Sequence, residues 1–317
     1  MISNYWPRLA WLALASFFLL HLLIASAVSL AAPALVRLAS RLQPCSGARL
    51  LLVSRILPWM IALVIVAAVC IPSYISFEPE AADEQIGALC ITAALLTLLL
   101  LLSSVMRAAR AAVQSMRHMR RWRREAHPEL FAGCTALVME SNVPFLAVAG
   151  ILRPTLIASR GLLKTLDDAE LDAAVRHEQA HRVSHDNLKR LLMHCAPGLV
   201  PFFPGFTALE QGWAKLAERA ADDRSTSGNR KRALHLADAL VRVAGLGCAP
   251  RPLALMTPLL PEGTDLRQRV ERLLDPQPAA ASFTRWRSVA AGACFAVVIL
   301  QPLTLRLAHD LLECLVR

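Results

Sequence analysis

The sequence predicts a mainly α integral membrane protein that carries an α+β domain with a small β-sheet between its membrane-spanning helices. Three observations predict it. Of 317 residues, 56% are hydrophobic and only 18% charged, with two tyrosines, which excludes an ordinary soluble domain. Four apolar stretches lie at the two ends of the chain, three before residue 107 and one after residue 287. Between them lies a charged segment with short strand-like runs and one stretch of helical character containing His177-Glu178-Gln179-Ala180-His181.

Residues 9–36 form the first apolar stretch, broken only by His21. It is too long for a signal-peptide core and further spans follow it, so we read an uncleaved anchor, although Ala31-Ala32-Pro33-Ala34 offers small residues for cleavage. Residues 56–72 form the second, short but extendable through Leu50–Val53, and residues 86–106 form the third, which holds no charge. Residues 288–305 form the fourth, whose Pro302 a membrane helix tolerates. Arg37, Arg41, Arg49 and Arg55 lie between the first two spans, and Glu78, Glu80, Asp83 and Glu84 between the next two. An arginine run, Arg107, Arg110, Arg117, Arg120, Arg121, Arg123 and Arg124, follows the third. The positive-inside rule therefore places residues 107–283 in the cytoplasm and both termini outside, in a multi-pass protein of the plasma (inner) membrane. The same run explains much of the +10 net charge as a contact with anionic lipid, so direct nucleic-acid binding is not expected. The expected organisation is residues 1–106 as three spans, 107–283 as one cytoplasmic domain and 284–317 as the fourth span with a short tail. Eight cysteines without a C-x-x-C pair, in a reducing compartment, suggest neither structural disulfides nor a thiolate metal site.

Within the domain, Cys134–Glu140, Pro144–Gly150 and Pro154–Ser159 have the composition of short strands. Asp167, Asp168, Glu170 and Asp172 then place negative charge at the start of a helix, with Leu171, Ala174, Val175 and Ala180 on its buried side. On that helix His177 and His181 stand one turn apart on the same face, and Glu178 beside them is free to take a proton from a water held by the ion. Chance gives such a pentad roughly once in a hundred chains of this composition, and an exposed helix is the bland alternative. A third ligand must come from elsewhere. His185 lies eight residues after His177, ~12 Å along a continuous helix, too far to share an ion with it. Glu218 is the better candidate, because Asp222 follows one turn later and can orient a ligand histidine through its free ring N–H. Glu210, which has no such companion, is the reserve. Leu188–Phe206, broken by three prolines, suggests a segment shielding the site; Asn229–Ala244 suggests a further helix, and Gly245–Gly263 a linker or flap.

The chain resembles the membrane-embedded gluzincin peptidases of the BlaR/MecR antirepressor type and, more distantly, the HtpX and CAAX-prenyl proteases. The resemblance runs from about residue 85 to 305. Val143–Ile157 resembles the strand pair before the active-site helix, Gly161-Leu162-Leu163 and His185-Asp186-Asn187-Leu188 flank the pentad in register, Glu218-Arg219-Ala220-Ala221-Asp222 matches the second zinc motif, and Leu266–Leu274 resembles the closing helix. It implies a gluzincin-like fold and one Zn2+ held by His177, His181 and Glu218, with Glu178 as general base and Asp222 behind a ligand. It also implies a substrate groove formed or bordered by Pro144, Ala147, Ala149 and Gly150, where a peptide adds as a strand. The only tyrosines, Tyr5 and Tyr74, lie outside the domain, so any oxyanion donor must be another group such as His194, His235 or an arginine. About a dozen residues follow the fourth span, where the sensor-transducers carry an extracellular sensor; a partner membrane sensor would then supply the stimulus. The expected function is zinc-dependent hydrolysis of cytoplasmic or membrane-proximal proteins in signalling, the substrate being a transcriptional repressor. A quality-control membrane protease and a non-catalytic zinc-stabilised scaffold are the alternatives. The intact Glu178 argues against the scaffold.

Overall fold

The computed structural model describes residues 5–77, 87–198, 204–246, 255–259 and 266–275. Three of its helices are long and apolar enough to cross a membrane. They are α1 (Tyr5–Arg41), the continuous run of α2 (Pro44–Ile65), a π-turn (Val66–Cys70) and α3 (Ile71–Phe77), and α4 (Ala88–Glu125). The first two contain the first and second apolar stretches and extend beyond them; α4 covers the third from Ala88 and continues past it. The arginine run is not a loop: α4 carries it, unbroken, to the edge of the sheet. The fourth apolar stretch, 288–305, lies outside the described residues.

The sheet has five strands in the order β1-β2-β4-β3-β5. β2 (Cys134–Met139), β3 (Leu146–Ala149) and β4 (Thr155–Ser159) fall within the three predicted runs; β1 (His127–Phe131) and β5 (Met256–Pro258) were not anticipated. Only the β2–β4 pair is parallel. β3 alternates in the expected two-residue period. Leu146 and Val148 join the core beneath α6, whereas Ala147 and Ala149 pack with Met119, Phe145 and Ile157 on the opposite face.

Five short or medium helices complete the domain, with α10 (Leu266–Leu274) after β5. α5 (Arg160–Thr165) leads into α6 (Asp168–Ser184), whose start is fixed by a capping box. Asp167 accepts from the backbone of Ala169 and Glu170, and Glu170 accepts in return from Asp167 N–H. α6 ends at His185, in a left-handed conformation (φ 54°) that turns the chain into α7 (Asp186–Cys195). α8 (Pro204–Thr226) and α9 (Arg230–Gly245) follow. α6 lies between the sheet and α8 and α9, over a core in which Leu162, Leu236 and Leu240 are fully buried. Each such leucine contributes about 1.5–3 kcal/mol.

α8 joins this domain to the membrane helices. Its first half packs on Ala25, Ala32 and Ala39 of α1 and Ala48 and Leu51 of α2, through Phe206, Leu209, Trp213 and Leu216. A Cβ at Gly205 would lie 2.3 Å from the Ser29 carbonyl oxygen, so glycine is what permits this approach. Glu210, on the same half, accepts from Arg55 Nε of α2 at 2.7 Å, and Arg55 also donates to the carbonyls of Met193 and Ala196 at the end of α7.

Candidate metal centre

α6 places His177, Glu178 and His181 in the interior, each no more than 1% exposed. The two imidazoles meet edge to face, centroids 4.8 Å apart, with their Nε2 atoms 3.2 Å from each other. α8 brings Glu218 to the same point: Oε2 lies 3.5 Å from His177 Nε2, and Oε1 lies 3.5 Å from His181 Nε2. His177, His181 and Glu218 each thus offer one ligand atom, all within 4.8 Å of one another.

The tautomers are set from behind. Asp222 Oδ1 lies 2.9 Å from His177 Nδ1, and Asp186 Oδ2 lies 2.7 Å from His181 Nδ1. Asp186 accepts from a proton-bearing His181 Nδ1, whereas Asp222 lies against His177 Nδ1 as a close ion-pair contact without hydrogen-bond alignment; both carboxylates favour the tautomer whose Nε2 lone pair faces the common point. Both Glu218 oxygens are buried there without a hydrogen bond among the described residues. Arg269 Nη1, 3.2 Å from Oε2, offsets part of the cost of burying that charge and leaves both oxygens able to meet a further cation. Two nitrogen lone pairs and an unsatisfied carboxylate fit a divalent metal ion. Two ligands about 2.0–2.1 Å from a tetrahedral ion are about 3.3 Å apart, close to the Nε2 separation found here. Burial alone would hold His181 neutral, but Glu218, Asp186 and Glu178 outweigh it and raise its pKa to about 10; the cluster is built to hold positive charge.

Glu178 points to the sheet. Its Oε2 accepts from Val148 N–H at 3.1 Å, while the Val148 carbonyl accepts from Asn187 Nδ2 at 3.2 Å. Asn187 also donates to the Gly150 carbonyl at 2.9 Å, so the start of α7 fastens the end of β3. Burial raises the Glu178 pKa from 4.5 to about 7, against the opposing pull of His177 and His181. A carboxylate of that pKa is suited to taking and returning a proton near neutral pH.

The structure therefore brings His177, Glu178, His181, Glu218 and Asp222 to one place. Glu210 is not at the cluster; it is 42% exposed and pairs with Arg55. Neither is His185, which caps α6. Pro144 and Gly150 flank β3, and Ala147 and Ala149 face away from the histidines. It is the Val148 backbone that meets Glu178, and the outer edge of β3 is paired with β5 through Ala147↔Pro258, Val148↔Thr257 and Ala149↔Met256. Four residues escaped the sequence reading. Asp186 follows the helix break and is held by Lys189 at 2.7 Å, and Asn187 is next to it. Arg269 of α10 is 5% exposed and grips Asp222 through Nε (3.0 Å to Oδ2) and Nη2 (2.7 Å to Oδ1). Val148, a plain strand residue, carries no signal beyond its place in a strand.

The family model for the BlaR1 peptidase M56 matches residues 3–273. None of the curated proteins matches the chain.

Proposed function

Because the chain belongs to the BlaR1-type M56 peptidases, and so to a family of membrane metallopeptidases, we propose that it is a zinc-dependent endopeptidase whose site is His177, His181 and Glu218 with Glu178 as general base. The observation that carries this is the convergence of two Nε2 atoms and the Glu218 carboxylate on one point, with Glu178 held next to them by the β3 backbone. Two imidazoles and a carboxylate form a three-ligand set of the kind that catalytic zinc uses.

Bound there, the ion would act as a Lewis acid towards the scissile carbonyl and would lower the pKa of a water molecule towards ~7. The chain's residues do the rest. Asp222 and Asp186 keep His177 and His181 in the Nδ1–H tautomer. Glu178 accepts the water's proton at its carboxylate and passes it to the leaving amine. Val148 N–H keeps that carboxylate aimed while leaving Oε1, which has no hydrogen-bond partner among the described residues, for the proton. The substrate backbone would add to the outer edge of β3, beside Glu178, in the register that β5 takes. Entry of a peptide therefore requires the β3–β5 pairing to open.

The arginine-rich ends of the first and third spans support a domain facing the cytoplasm of the plasma membrane, and a cytoplasmic or membrane-proximal protein substrate. In signalling, that substrate is a transcriptional repressor. The test compares detergent-purified wild type with Glu178→Ala for bound zinc and for cleavage of a repressor-like or an unfolded protein. The expected result is one zinc in both and cleavage only by wild type. A wild type that binds zinc and cuts neither substrate, even with lipid restored, defeats the peptidase reading.

A further inference from the structure

The centre described above has one participant to which the proposed chemistry assigns no work. Arg269 reaches it from α10, 47 residues beyond Asp222. Its guanidinium holds both oxygens of Asp222, donates through Nη1 to the Leu259 carbonyl at 3.1 Å, and brings Nη1 to 3.2 Å from Glu218 Oε2. We propose that Arg269 is a positioning residue of the metal centre, which locks the Asp222 carboxylate and through it the ring of His177, so that docking of α10 completes the ligand set. The inference rests on the metallopeptidase reading.

The two ligand histidines are supported differently. His181 is oriented by Asp186, which is held by Lys189 one turn along the same helix, and Lys189 is 30% exposed. An ammonium on a flexible stem fixes distance but not the plane of the carboxylate. His177 is oriented by Asp222, whose Oδ1 is shared between the imidazole at 2.9 Å and the guanidinium at 2.7 Å. A two-pronged guanidinium grip fixes the carboxylate plane, and with it the direction in which Oδ1 meets His177. The orientation of one ligand thus depends on an element remote in sequence, and that of the other does not.

Charge and orientation predict opposite signs for the loss of Arg269. A guanidinium next to a divalent ion repels it, so charge alone predicts tighter metal binding without the arginine. A positioning role predicts weaker binding. The sign of the change is therefore diagnostic.

The experiment titrates the full-length protein, in detergent, with Co2+, whose visible d–d absorption reports affinity and coordination geometry without any need for turnover. Arg269→Met is expected to bind cobalt about 10- to 100-fold more weakly than wild type, the usual cost of losing a partner behind a ligand, with an altered band shape. Arg269→Lys is expected to recover only part of that loss. The Arg269→Met/Asp222→Asn double variant is expected to be no weaker than the worse single variant, which separates action through Asp222 from action through the direct contacts of Arg269 with Glu218 Oε2 (3.2 Å) and His177 Nε2 (3.5 Å). Unchanged or tighter binding by Arg269→Met overturns the proposal, and additive losses in the double variant overturn the path through Asp222. Should Arg269→Met lose its cooperative melting transition, Arg269→Lys decides alone, and wild-type cobalt affinity in it overturns the proposal. A wild type that binds no cobalt defeats the underlying metal-site reading instead.

Discussion

Glu178 sits in the interior with one oxygen bonded to Val148 N–H and the other without a hydrogen bond among the described residues, so its ionisation should weaken the fold. Burial raises its pKa from 4.5 to about 7. A carboxyl group whose folded-state pKa lies above its unfolded value costs nothing below the unfolded value. Stability is then lost as the pH rises from about 4.5 to about 7, and the full penalty persists above that. A shift of that size corresponds to about 3 kcal/mol. Glu178→Gln keeps an acceptor for Val148 N–H and removes the charge. The variant should therefore match wild type near pH 4.5 and exceed it by up to about 3 kcal/mol at pH 8, a Tm gain of a few degrees. The assay is thermal melting of both proteins with a chelator present, since a bound cation would relieve the same penalty. Cleavage by the metal-loaded variant should fall about 10²- to 10⁴-fold. A variant no more stable than wild type at pH 8 would mean that the carboxylate is already satisfied in its ionised form.

Other outcomes follow from the same geometry. Glu218→Gln should fold yet lose the single bound metal ion, measured by elemental analysis after dialysis, because a neutral amide replaces the buried ligand carboxylate. Metal affinity should rise by on the order of tenfold per pH unit between about pH 6 and 9, since the ion must displace a proton from His181, whose pKa is raised to about 10; a pH-independent affinity in competition titrations would contradict this. Thr257→Pro, which removes a strand N–H opposite Val148, should lower the KM for an added extended peptide several-fold with kcat preserved, as expected for the loss of about 1 kcal/mol of competing strand pairing. An unchanged KM would mean that substrate does not use that edge.

The parts of the site that the sequence discloses are those fixed by local spacing. Two histidines four apart share a helix face whatever surrounds them, and the Asp167–Glu170 capping box sets where that helix begins. Glu218 and Asp222 were legible for the same reason, as a one-turn pair on α8. What stayed hidden depends on chain reversal or on distant elements. Asp186 reaches His181 only because His185 adopts a left-handed turn, which an α-helical projection does not anticipate. β5 has three residues, too few for a periodic signal. Arg269 did leave a trace. Leu266, Val270 and Leu273 make one apolar face of α10, and Arg269 lies on that face rather than opposite it. A charged residue on the inner face of a short amphipathic helix requires a buried partner, and Asp222 is that partner.

α8 is one continuous helix that packs on α1 and α2 from Phe206 to Ala217 and carries Glu218 at the very next position. A shift of α1 or α2 is therefore passed through Leu216 and Ala217 to the Glu218 carboxylate with no intervening hinge. Catalytic constellations tolerate about 0.5 Å. The bilayer is thus one helix contact away from the proposed metal ligand, and cobalt affinity in bilayers of different thickness is expected to differ.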